Sequence, residues 1–130
     1  MKIDRNKVYV KCGGRCAYCG KEITLKQMQV DHIEPQWTTV EDKYLLRDGI
    51  TRGTNHIDNL NPACVRCNKW KSTFSVERFR GEISKQAERL QRDSSAFRMA
   101  LDYNLISIHE PKPIVFYFEI LTTETNSNNQ

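Results

Sequence analysis

Four of the five cysteines fall into two pairs of the same form, Cys16-x-x-Cys19 and Cys64-x-x-Cys67. One such pair can take two corners of a tetrahedral zinc ion, with sulfur–metal arms of about 2.3 Å, and a second pair completes the shell. Four thiolates leave no open position, so the chemistry indicated is a structural Zn2+ site rather than a catalytic one. The competing reading is a redox-active pair. It does not call for a second Cys-x-x-Cys, and no strand–helix–strand pattern surrounds the first. The 44 residues between the pairs exceed a zinc-ribbon spacing and imply an insertion between the halves of the clamp. Cys12 is left over and reads as a core or surface thiol.

A second constellation lies between and beside these pairs: Asp31-His32, Asn59 and Asn68. Taken singly, each has an ordinary explanation. His32 could be a satisfied histidine at a strand end, Asn59 a turn or cap residue, and Asn68 a helix-surface residue. Together they offer a carboxylate, an imidazole that can take a proton near neutral pH, and amide oxygens. Hard oxygen ligands of this kind suit Mg2+ or Mn2+, and a general base beside such an ion suits metal-assisted hydrolysis of a phosphodiester. Arg66, Lys69 and Lys71 flank this constellation and can approach phosphates. Contacts of that sort position nucleic acid without reading its sequence. Trp70 reads as a core residue, with stacking on a base as the alternative. His56 reads as a loop histidine.

The elements that must position these residues are short. RNKVYVKCGG is expected to be a helix ending at Gly13-Gly14, and RCAYCG a tight turn. MQVDHIEP reads as a strand over 28–35, stopped by Pro35. Residues 36–57 read as loop, with turn signals at Asp48-Gly49 and Arg52-Gly53. In DNLNPACVRCNKWK a turn is expected at Asn61-Pro62, then a helix through the second cysteine pair. Val76, Phe79, Ile83, Ala87 and Leu90 recur at helical spacing and predict one amphipathic helix over 75–93. SSAFRMALDYNL predicts another, and the apolar run PIVFYFEIL, 113–121, predicts a buried or paired strand.

The 130 residues carry a formal charge of +4, unevenly spread: +6 over residues 1–80 and −2 over 81–130. A basic N-terminal part fits a polyanionic partner. MKIDRNKVYV has no apolar core of a signal peptide, and no run approaches the ~18 apolar residues of a membrane span. The expectation is a soluble cytoplasmic protein without a membrane partner, whose thiols stay reduced and available to metal.

DHIEP, NLNPACVRCNKWK and the two cysteine pairs together resemble the HNH endonuclease family, over roughly residues 5–75. The resemblance implies an α+β fold with a ββα-metal (His-Me finger) core in its zinc-stabilised form. It implies His32 as general base, Asp31 and Asn68 as ligands of a catalytic divalent cation, and Asn59 as the residue that orients the motif. The chain would then be an H-N-N variant. The implied activity is hydrolysis of DNA, leaving 5′-phosphate and 3′-hydroxyl ends. The domain reading is a nuclease core over 1–75, a helical and strand extension packed on it over 76–121, and a flexible tail over 122–130. The extension is also the surface available to a second copy or a partner protein. Two other functions compete: a non-catalytic zinc module that binds nucleic acid or protein, and a nuclease subunit activated by a partner. Retention of Asp31, His32 and Asn68 together favours the enzyme.

Overall fold

The computed structural model describes residues 2–128. The chain forms two compact units, Met1–Val76 with Val115–Gln130, and Glu77–Ile114. The helices and strands run in the order α1 Arg5–Lys11, β1 Gln29–His32, α2 Asp42–Arg47, β2 Leu60–Ala63, α3 Val65–Lys71, α4 Val76–Ser84, α5 Gln86–Asp93, α6 Ser95–Asp102 and α7 Tyr117–Asn128. Among the described residues no helix is long and apolar enough to cross a membrane.

In the first unit α1 begins at Asp4, whose carboxylate accepts the amides of Asn6 and Lys7 and so satisfies two orphan donors. The first cysteine pair sits at the end of a small hairpin bridged between Arg15 and Glu22. Gly20 closes this knuckle: its N–H donates to the Cys16 carbonyl at 3.0 Å, and its φ of +79° is one that glycine adopts without strain. Strands β1 and β2 pair antiparallel with His32 opposite Leu60 and Asp31 opposite Asn61. The expected turn at Asn61-Pro62 is therefore a strand. Pro62 is tolerated because the sheet has two strands and so every strand is an edge. Its carbonyl accepts the Ala17 amide at 2.8 Å, which ties β2 to the first knuckle. Val8, Ile23, Met28, Leu60 and Phe116 are buried in this unit.

Two further expectations change. Residues 36–57, read as loop, contain α2, with Leu45 buried, and a 3-10 turn over Ile57–Asn59. The run 113–121, read as a strand, is extended only as far as Phe116 and then turns into α7. Glu119 accepts the Phe116 amide through its side chain at 2.8 Å, the reciprocal half of a capping box. The amides of Tyr117 and Phe118, without partners inside their own helix, donate to the carbonyls of Tyr18 and Ala17 at 3.2 and 2.8 Å. These contacts outweigh the β propensity of the run. Residues 122–128, read as tail, continue α7; Asn129 and Gln130 lie outside the described residues.

In the second unit the single helix expected over 75–93 is divided at Lys85 into α4 and α5. Ser94 caps α6 by accepting the Phe97 amide at 3.1 Å. The ion pair Arg89–Glu82, at 2.7 Å, ties α5 to α4.

Candidate active site

The four cysteines converge. Sγ atoms of Cys16, Cys19, Cys64 and Cys67 all lie within 4.8 Å of one another, a set positioned to hold a metal ion. A tetrahedron with 2.3 Å arms has edges of about 3.8 Å, and Cys19 and Cys64 stand 3.9 Å apart. Crowding of the thiols shows in their protonation. Hydrogen bonding with Cys67 pulls Cys16 down to about 4, while that same contact, together with burial, pushes Cys67 up. Four sulfurs at this spacing suit a thiophilic cation. Cys12 is buried and lies outside the cluster.

Cys64 also starts α3. Its Sγ accepts the Cys67 amide at 3.3 Å and its carbonyl accepts the Asn68 amide at 2.9 Å. The metal-site knuckle thus fixes the first turn of α3, and with it Asn68. An open groove of about 680 Å³ is lined by Asp31 and His32 from β1, by Gln36, Trp37 and Thr38 from the following loop, by Asn68 and Lys69 from α3, and by Ser72 just after it. Trp37 and Ser72, at φ +55° and +47°, both border this groove in the left-handed region, where a non-glycine residue is strained.

His32 is half-buried at the end of β1. Its Nε2 lies 2.7 Å from Oδ1 of Asn55, and the same oxygen accepts Nε2–H of Gln36 at 2.8 Å. An amide oxygen only accepts, so Nε2 of the imidazole donates in this contact, and Nδ1 is the ring nitrogen not tied to Asn55.

Asn59 ties the surrounding loops together. Its Oδ1 accepts the Glu34 amide at 2.8 Å, and its Nδ2 donates to the carbonyls of Glu34 and Thr54 at 3.1 and 2.8 Å. Its own carbonyl accepts the Ile33 amide, directly after His32. Gly53 makes this possible. A Cβ there would sit 1.7 Å from the Glu34 carbonyl oxygen and 2.9 Å from Nδ2 of Asn59. Arg52 secures the outer loop through the carbonyls of Gln36, Trp37 and Val40 and through Asp42 at 2.6 Å.

Asp31 is buried, and both carboxylate oxygens have donors. Tyr18 donates its hydroxyl to Oδ2, and Nζ of Lys71 lies 3.3 Å from Oδ1 and 3.2 Å from Oδ2. Burial pushes the Asp31 carboxyl up, and the donated hydrogen bonds of Tyr18 and Lys71 only partly offset it. Burial, then the neighbouring Asp31 charge, pushes the Tyr18 phenol up, so it remains a donor.

Lys71, expected at a phosphate, is fully buried; its ammonium also reaches the carbonyls of His32 and Ile33 at 3.1 and 3.4 Å. It cannot meet DNA from there. The reason is helical spacing: Lys71 follows Cys67 by four residues and shares its inward face. Removing one partner of a buried ion pair strands the other charge, at a cost of about 3–5 kcal/mol. Lys71→Met is therefore expected to lower unfolding stability by that order in urea titration. Adding Asp31→Asn should restore much of it.

The remaining basic residues separate. Lys69 is exposed and lines the groove, whereas Arg66 is exposed beside the thiols. Trp70, read as core, is 50% exposed. His56 accepts the Asp58 amide and caps the 3-10 turn. Sequence reasoning did not find Tyr18, Gln36, Arg52 or Asn55. Only Gly53, visible as a turn signal, hinted at the close approach of two loops.

The family profile of HNH endonucleases matches residues 16–74. No curated protein matches the chain. Among solved structures, the Type II-C Cas9 enzyme from Actinomyces naeslundii is similar at 23% identity and a TM-score of 0.47, over 73% of this chain and 10% of that one. The chain thus spans about a tenth of that neighbour's length. With the two-stranded sheet, the helix that follows it and the four-cysteine cluster, the profile match establishes that residues 16–74 are an HNH endonuclease domain.

Proposed function

We propose that this protein is a metal-dependent DNA endonuclease that uses one divalent cation and His32 as general base, leaving 5′-phosphate and 3′-hydroxyl ends. The observation that carries this reading is the shared groove. His32, with Nε2 committed to Asn55, opens onto the space also lined by Asp31 and Asn68.

Each residue then has a defined task. Nδ1 of His32 takes the proton of the attacking water. The Nε2–H bond to Asn55 holds the ring in one tautomer and stabilises the charge the ring gains. Asn59 keeps the strand end and the loop carrying Asn55 at a fixed spacing. Asp31 and Asn68 would hold Mg2+ or Mn2+, for which carboxylate and amide oxygens are suitable donors. When bound, that cation offsets charge on the phosphoryl and leaving 3′ oxygens. Lys69 lies beside Asn68 for a flanking phosphate, so binding should weaken as salt rises. Cys16, Cys19, Cys64 and Cys67 would hold Zn2+ as a structural ion, which the reduced thiols of a cytoplasmic protein allow.

Supercoiled plasmid tests the reading. Zinc-loaded protein is expected to produce nicked or linear DNA with Mg2+ or Mn2+ and none with EDTA. Equal cleavage in EDTA would refute the cation's role. A plasmid that stays supercoiled under every divalent cation, yet is retarded on a gel, would favour the non-catalytic zinc module.

A further inference from the structure

We infer that Tyr18 is a positioning residue for the cation site, holding Asp31 in its ligating orientation, and that the C-terminal segment 116–118 holds Tyr18. The inference rests on the reading of Asp31 as a cation ligand.

Tyr18 lies between two cysteines of the metal cluster and is 3% exposed. Its ring is clamped edge-to-face by Phe116 and Phe118, with centroids 5.2 and 5.7 Å away and interplanar angles of 88° and 77°. The backbone is fixed on the same side by the amides of Tyr117 and Phe118 on the carbonyls of Tyr18 and Ala17. A ring packed in this manner has little rotational freedom, and its hydroxyl has one place to go. It donates to Oδ2 of Asp31 and accepts from Nδ2 of Asn61 at 3.4 Å.

Packing alone does not explain the hydroxyl. Phenylalanine would fill the aromatic clamp equally well and would not bury a polar group that must then be satisfied. What the hydroxyl adds is a fixed donor on one carboxylate oxygen. Together with Lys71, whose ammonium lies 3.3 Å from Oδ1 and 3.2 Å from Oδ2, it sets the rotamer of Asp31 and therefore where the remaining lone pairs point. Donors that orient a metal-ligating carboxylate typically contribute 10–100-fold to metal affinity. The two knuckles of the cysteine cluster thus serve the cation site by different routes: the second carries Asn68, and the first presents Tyr18 to Asp31.

The test is Mn2+ binding to the zinc-loaded full chain without DNA, read from the electron paramagnetic resonance of free Mn2+. Tyr18→Phe is expected to raise the Mn2+ Kd about 10-fold, with zinc content and melting profile close to those of the parent. Phe118→Leu, which keeps the hydroxyl but loosens its clamp, should raise Kd by a smaller factor. Asp31→Asn sets the baseline. If Asp31→Asn loses binding and Tyr18→Phe binds Mn2+ as the parent does, the positioning role is overturned while the reading of Asp31 stands. If Phe118→Leu alone binds as the parent does, the role of the C-terminal segment is overturned. If Asp31→Asn itself binds Mn2+ normally, the underlying assignment of the ligand fails.

Discussion

His32→Ala is expected to lower the rate of DNA cleavage by about 10²–10⁴-fold, the usual contribution of a general base, while leaving Mn2+ binding and zinc content unchanged. The size of the effect follows from the tautomer. Nε2 of His32 faces Oδ1 of Asn55 at 2.7 Å, and that oxygen also accepts a hydrogen bond from Gln36. An amide oxygen can only accept, so Nε2 donates, and the proposed proton-accepting atom is Nδ1, on the ring edge not tied to Asn55. Alanine removes that atom and substitutes nothing for it. The fold should tolerate the change, because the half-buried His32 ring is held by polar contacts and its backbone is held by pairing with Leu60. A matched pair of measurements makes the test sharp: single-turnover nicking and circular dichroism on the same preparations. Nicking by His32→Ala at the parental rate, with the fold intact, would remove histidine from the mechanism.

Cys64→Ser should abolish metal retention and most of the helical signal of the nuclease unit. Serine can replace cysteine as an acceptor at the start of a helix, so the capping bond to the Cys67 amide is conserved in kind. What disappears is the thiolate. Structural zinc contributes on the order of 10–16 kcal/mol to the folding of small zinc domains, and this unit has little to set against its loss. Its sheet has two strands of four residues each, a size that is marginal without added support. Loss of the ion releases α3, and with it Asn68 and the Lys71–Asp31 pair. Zinc content by mass spectrometry and thermal unfolding would check this, with chelator treatment of the parent protein giving the same result by a different route. A Cys64→Ser protein that stays folded with its full zinc content would disprove the clamp.

The two predictions meet in α3. Cys67 and Lys71 lie four residues apart and face inward, while Asn68 and Ser72, also four apart, face the groove. That periodicity was available in the sequence, and it excludes Lys71 from the DNA surface once Cys67 is taken as a metal ligand. Charge alone is a poor guide here, because a lysine next to a nuclease motif is as consistent with an internal counter-ion as with a phosphate contact. The run 113–121 fails for a related reason. Its β-branched and aromatic residues carry a strand signal, but propensity does not know that the carbonyls of Ala17 and Tyr18 will satisfy the first amides of a helix.

By itself the sequence determined the donor chemistry. Two Cys-x-x-Cys pairs supply four thiols, and Asp31, His32 and Asn68 supply a carboxylate, an imidazole and an amide. These are properties of atom types at short spacings, which the chain carries before it folds. The tertiary structure decided what holds those atoms in place. Asn55 selects the His32 tautomer from 23 residues away, Tyr18 and Lys71 orient Asp31 from 13 and 40 residues away, and Gly53 lets the Asn59 brace close. Such partners leave no periodic or local mark. They meet only when a loop crosses a strand end or a helix packs against a knuckle, so their identities follow from the packing and not from any spacing along the chain.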